Sequence, residues 1–326
     1  MIFDGLDDLQ IAERLAGFFN GISQEYTPLS HDEIPVTVDS SPFRLTAEQV
    51  ELKLRKCKKP TSTVPGDLPP ALYDHFSGLL ALVITNMFNS VLARYEWPAL
   101  WTTEYVTVIP KGTNADSLDR CRNISCTNYL SKVLENFVLE RIRSEVAVSN
   151  HQYGGVSGCG HMLVEAIDYV TSSLEDNRAA VVLTSMDYSK AFNRLEHSAC
   201  LREFAAKGAT NEALKIIAGF LTGRKMTVRV GIMSSVPRPV NAGTPQGSVL
   251  GCFLFNIGID TIEDSCPYPI KNDQIIQQEH LVRTDDFPAF STPSRVTTLR
   301  RLPELSPIRE DGPNIEVPTR AANVPP

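Results

Sequence analysis

The residues best suited to chemistry gather around one acid. Ala180-Val181-Val182-Leu183-Thr184 is a run of small and β-branched residues that predicts a buried strand. It closes on Asp187, after which Ser189-Lys190-Ala191-Phe192 opens a helix. Burying a carboxylate at the mouth of a sheet is costly unless a cation or hydrogen-bond donors receive it, so the position suits either a metal ligand or a helix N-cap. Three other places carry matching chemistry. Lys111 follows the alternating run 104–109, Arg122 lies in a polar loop shortly after, and Gly243-Thr244-Pro245-Gln246-Gly247 makes a tight turn before an apolar helix. A triphosphate needs fixed cations for its oxygens, carboxylates to hold magnesium, and a flat amide or ring to frame the sugar and base. These segments contain all three.

The elements that must hold them read as a mixed α+β pattern. Apolar residues at helical spacing predict helices over 6–19, 46–59, 70–95, 129–146, 161–175, 196–207, 211–222 and 250–262. Thr46 with Gln49 makes a capping box for the second of these, and Leu130, Val133, Leu134, Phe137, Val138 and Ile142 form one face of the fourth. Strands are predicted over 104–109 and 180–187, with a hairpin from 225–230 and 235–241. Residues 1–42 read as a helix followed by a linker, and the turn-rich stretch around Pro65, Gly66, Asp67 and Pro69 as a solvated connection.

Composition bounds the class. The chain has 326 residues, 42% of them apolar and 21% charged, with a net charge of -7 and a pI near 5.5. An acidic balance argues against a surface given over wholly to nucleic-acid phosphates, although Lys53, Arg55, Lys56, Lys58 and Lys59 form a local basic cluster. The seven cysteines are scattered and read as reduced thiols, Cys121 and Cys126 included. Acids at Asp4, Asp7 and Asp8 stand where a basic leader would, and the apolar stretch 79–87 is broken by Thr85 and Asn86. A soluble, intracellular protein of cytoplasm or nucleus with no membrane contact is therefore expected. From Cys266 onward prolines recur (Pro267, Pro269, Pro288, Pro293, Pro303, Pro307), which predicts a disordered tail.

Five segments stand in a familiar order: Val108-Ile109-Pro110-Lys111, Arg122 through Glu135, Gln152-Tyr153-Gly154-Gly155, Met186 through Phe192, and Gly243 through Gly251 with Phe255-Asn256-Ile257. Across roughly residues 46–262 the chain resembles the reverse transcriptases of non-LTR retrotransposons. The resemblance implies an RNA-directed DNA polymerase of right-hand architecture, with fingers over 43–178, an incomplete palm over 179–264 and the Pro-rich tail over 265–326. It implies two Mg2+ ions, ligated by Asp187 with the Tyr188 carbonyl on one of them. Lys111 and Arg122 would contact the triphosphate, Phe192 would be the steric gate against a 2′-hydroxyl, and Gln246 with Gly247 would position nucleotide and template. The implied partners are an RNA template, a DNA primer and dNTPs, with a nuclease domain and a thumb elsewhere in a larger polyprotein.

The sequence departs from the family most consequentially at the second acidic motif; Asn193 also follows Phe192 where related elements often carry Asp. No aromatic-x-Asp-Asp tetrapeptide occurs, and the nearest candidate for the second acidic pair is Asp285-Asp286 within Arg283-Thr284-Asp285-Asp286-Phe287, followed at once by Pro288. Either these two acids complete the site, or the chain is a truncated, non-catalytic remnant that at most binds nucleotide or nucleic acid. Weak or absent polymerase activity of this chain alone is the expectation.

Overall fold

Helix starts are fixed by side chains that replace missing amide partners. A computed structural model describes residues 3–57, 64–111, 117–146, 148, 159–174, 184–187, 190–260 and 295–298, the backbone alone for 159, 161, 162, 165, 166, 173, 174, 184–187 and 295–298. Asp7 and Gln10 cap α1 (Asp8–Gln24) reciprocally, and Thr46 and Gln49 do the same for α2 (Ala47–Lys56), as the sequence predicts. The helix expected over 70–95 is two, α3 (Pro70–His75) and α4 (Ser77–Arg94), parted where Phe76 leaves the helical region at φ -101° and ψ 21°. By length and composition α4 could cross a membrane. Its Ala81, Ile84, Phe88, Val91 and Leu92 are buried in the protein core.

After the short α5 (Ala99–Thr102), the alternating run becomes β1 (Thr103–Pro110). It pairs antiparallel with β2 (Cys121–Cys126), placing Ile109 opposite Arg122. Arg122 thus lies in a strand and not in the expected loop. The strand was hidden because its inward residues include the polar Asn123 and Ser125, so apolar alternation is absent. Helices α6 (Tyr129–Arg143) and α7 (Cys159–Leu174) follow, then β3 (Thr184–Asp187) and the short α8 (Ala191–Arg194). Helices α9 (His197–Ala206) and α10 (Asn211–Leu221) lead to β4 (Lys225–Val230), which pairs parallel with β1. The strand expected over 235–241 is instead two fragments antiparallel to β4, β5 (Met233–Ser234) and β6 (Arg238–Pro239). Pro237 and Pro239 lack the amide hydrogen a longer ladder needs.

The result is a mixed sheet in the order β2-β1-β4-β5. Helix α11 (Val249–Ile259) packs on α6 and α9, where Val133, Leu134, Val138, Leu201, Phe204, Leu250 and Leu254 are buried. Helix α1 covers the sheet, joining Leu15, Ala16 and Phe19 to Val106, Met226 and Val228 in a second core. Each large side chain so buried contributes about 1.5–3 kcal/mol. A separate pair is made by β3 and β7 (Arg295–Thr298), antiparallel, with Asp187 opposite Arg295. Residues 180–183 of the expected strand, and the tail except β7, lie outside the described residues.

Two stretches expected to be plain connections are fastened down. Residues between α1 and α2 strap onto the start of α10: the Thr37 amide donates to Asn211 Oδ1 at 2.6 Å, the Asn211 amide to the Val38 carbonyl at 2.9 Å, and the Phe43 amide to Glu212 Oε1 at 2.7 Å. Asp67 accepts from the Tyr129 amide at 2.7 Å, capping α6 from a loop far back in the chain. Cys57, Cys121, Cys126, Cys200 and Cys252 are free thiols.

Candidate functional site

The turn at Gly243 to Gly247 is clamped, backbone on backbone, between α8 and β2. Gly243 has φ +87°, and a Cβ there would sit 2.5 Å from the Phe192 carbonyl oxygen and 2.8 Å from Asn193 Cα. The closeness serves hydrogen bonds: the Gly243 amide donates to the Leu195 carbonyl at 2.7 Å and the Thr244 amide to the Phe192 carbonyl at 2.8 Å. At the other end Gly247 has φ +135°, with its hypothetical Cβ 2.4 Å from the Ser125 carbonyl oxygen, while the Ser125 amide donates to the Gln246 carbonyl at 2.8 Å. The strand of Arg122, the helix of Phe192 and the turn of Gln246 therefore share one frame.

Helix α11 leaves this turn with its N-terminus doubly satisfied. Ser248 caps it by accepting from the Gly251 amide at 2.8 Å. Glu135 of α6, wholly buried, accepts from the Val249 and Leu250 amides at 2.7 and 3.2 Å and from the Ser131 hydroxyl at 2.9 Å. A carboxylate there also suits the positive end of the helix dipole. The half-buried Phe192 stacks on Phe255 of α11, ring centroids 4.6 Å apart and planes at 23°.

Lys111 and Arg122 are exposed at the same end of the β1–β2 hairpin, one residue beyond the Pro110–Cys121 pair and one inside it. The Lys111 amide donates to the Arg120 carbonyl at 2.7 Å. Gln246 is half-buried and Gly247 exposed. Asp187 ends β3, and its side chain lies outside the described residues, as do Tyr188, Asp285, Asp286 and the Gln152-to-Gly155 segment. Among the described residues, no group of three or more His, Cys, Asp or Glu side chains could hold a metal ion.

The sequence model of the reverse transcriptase (RNA-dependent DNA polymerase) family matches residues 109–300, a span holding the hairpin end, the clamped turn and both β3 and β7. The chain belongs to the reverse transcriptase family. It is 26% identical over 268 residues to the RNA-directed DNA polymerase from mobile element jockey of Drosophila melanogaster, covering 75% of this chain and 29% of that protein. It is 28% identical over 179 residues to the retrovirus-related Pol polyprotein from type-1 retrotransposable element R2 of Popillia japonica, covering 54% and 25%. A probable RNA-directed DNA polymerase from transposon X-element of Drosophila melanogaster is 29% identical over 182 residues, covering 53% and 20%. These relatives place the chain among the reverse transcriptases of non-LTR retrotransposons, and it spans less than a third of their length.

Beneath the clamped turn this reverse transcriptase domain buries a set of charges that sequence reading did not assign. Arg224, at the entry to β4, is 1% exposed; its Nη1 donates to the Phe220 carbonyl at 3.1 Å and its guanidinium lies 4.8 Å from the Phe220 ring centroid. Burial pulls its pKa down, and the carboxylates of Glu104 and Glu135 oppose that. Burial pushes the Glu104 carboxyl up against the pull of Arg224. A cavity of about 20 Å³ is lined by Glu104, Asn123, Phe192, Arg224, Gly243 and Thr244. His197 Nε2 lies 2.8 Å from the Gly243 carbonyl, and burial lowers this imidazole to about 4. It is neutral at pH 7, and because a carbonyl only accepts, Nε2 carries the proton. Glu135 offered one sequence signal, an acid on the buried stripe of α6 beside Leu134 and Val138.

Proposed function

We propose that the chain is the polymerase domain of a retroelement protein, adding dNTPs to a DNA primer on an RNA template by two-metal nucleotidyl transfer. Fingers drawn from residues 43–178 and a palm from 179–264 make the cleft. The observation that carries this reading is the clamp: Gly243 and Gly247 hold the Gln246 turn between Ser125 of β2 and Phe192 of α8, on the same β1–β2 hairpin that carries Lys111 and Arg122 at its other end.

Asp187, the Tyr188 carbonyl, Asp285 and Asp286 are the groups that would hold magnesium, an all-oxygen donor set of the hard type that ion takes. When bound, the metals supply stabilisation of the attacking and leaving oxygens. Lys111 and Arg122 neutralise phosphate oxygens from the hairpin end, Arg122 with a planar fork and Lys111 as a point charge. Phe192, held by its stack on Phe255, presents a rigid face where a ribose 2′-hydroxyl would stand. Gln246, carried by the turn, positions nucleotide and template. Protein groups mainly orient and neutralise in such a reaction.

A second reading has its own support. In the β3–β7 ladder the residue opposite Asp187 is Arg295, beyond Pro288 and Pro293, and not one of the Asp285–Asp286 pair. A chain that binds nucleotide without joining it fits that register. Sugar selectivity tests the first reading at its most specific residue. Phe192→Ala should raise UTP incorporation relative to dTTP on poly(rA) primed with oligo(dT), and unchanged discrimination removes the gate from Phe192.

A further inference from the structure

We propose that Lys190 is a positioning residue that fastens the start of α8 to strand β2 and helix α1, and thereby sets where Phe192 stands beside a nucleotide. The proposal rests on the polymerase reading above. Lys190 has φ 55° and ψ 35°, a left-handed conformation that a residue with a side chain keeps only where its surroundings hold it. Its side chain does the holding. Nζ donates to the Cys121 carbonyl, at the start of β2, at 2.6 Å and to the Leu118 carbonyl at 3.4 Å. The same ammonium lies 5.3 and 5.2 Å from the ring centroids of Phe18 and Phe19 of α1. The Lys190 carbonyl receives the Asn193 amide at 2.8 Å, so the anchored residue also starts α8.

A second tie runs beside the first. Arg194 Nη1 is 2.9 Å from Glu25 Oε2, just past the end of α1, and α1 packs along α8. Helix α1 lies before residue 109, outside the span matched by the reverse transcriptase family, yet it braces the helix that carries Phe192. The two carbonyls and two rings around Nζ assign Lys190 to holding the protein and not to contacting phosphate.

The test compares the full chain with Lys190→Met, Lys190→Arg and Phe192→Ala in two measurements. In amide hydrogen exchange without nucleotide, Lys190→Met should speed exchange over 190–194 while α6 and α10 stay protected, and Lys190→Arg should restore protection. In binding of dTTP and UTP with magnesium to the chain on poly(rA) primed with oligo(dT) lacking its 3′-hydroxyl, Lys190→Met should cut the preference for dTTP about fivefold, the scale of one lost cation–π and carbonyl anchor. Lys190→Arg should retain it. Unchanged exchange over 190–194 overturns the proposal, as does loss of protection throughout the fold, or uniform weakening of both nucleotides with the preference intact. If Phe192→Ala leaves the preference unaltered, it is the gate reading that fails, and exchange alone then decides the role of Lys190.

Discussion

At the scale of single residues, the groups that organise the site are buried polar ones whose partners are distant in sequence. Thr46 with Gln49 was legible because both members of the capping box lie within one turn. Glu135 and Arg224 were not, because the amides of α11 and the carboxylate of Glu104 reach them only after the chain folds. His197 gives this layer a measurable signature. Its folded pKa, about 4, is below the ordinary 6.5, so between those values the unfolded chain binds more protons and stability falls as pH falls. Denaturation in urea from pH 7 to 4 should show wild type losing up to roughly 3 kcal/mol more than His197→Gln over that window. The difference isolates His197 from Glu104, whose raised pKa acts in the opposite sense. Parallel pH profiles for the two proteins would rule out a buried neutral imidazole.

At the scale of elements, strongly periodic helices are legible in the sequence to within a few residues, and pattern fails where tertiary contacts override it. Strand β2 is illegible because Asn123 and Ser125 face inward, and the helix over 70–95 breaks at Phe76, where Gly78 two residues on is the one local mark. The Gly243-to-Gly247 turn was legible as a turn, but its clamp between α8 and β2 was not. Gly247→Ala should cost about 1–3 kcal/mol, since φ +135° and the nearby Ser125 carbonyl both oppose a side chain. Gly17→Ala in α1, where a Cβ meets nothing within 4 Å, should instead stabilise by about 0.5–1 kcal/mol. Thermal and urea unfolding of both variants checks the contrast; equal shifts would mean that the turn is not pressed against β2.

At the scale of the whole molecule, the sheet unites β1 and β2 with β4 from the other side of residue 179, and α1 covers it from before the matched family span. Motif order made the family readable, because each motif is a local sequence held by local geometry. Completion of the metal site was not readable, since Asp285 and Asp286 come without the strand pattern that would fix them against Asp187. Template-directed extension of oligo(dT) on poly(rA) by this chain, with magnesium, comparing wild type and Asp187→Ala, is the decisive measurement for a polymerase site at Asp187. Weak extension that Asp187→Ala abolishes, with dTTP still bound, is the expected result. Binding of dTTP without any extension would favour the non-catalytic reading, and extension that survives Asp187→Ala would contradict the polymerase site proposed for this chain.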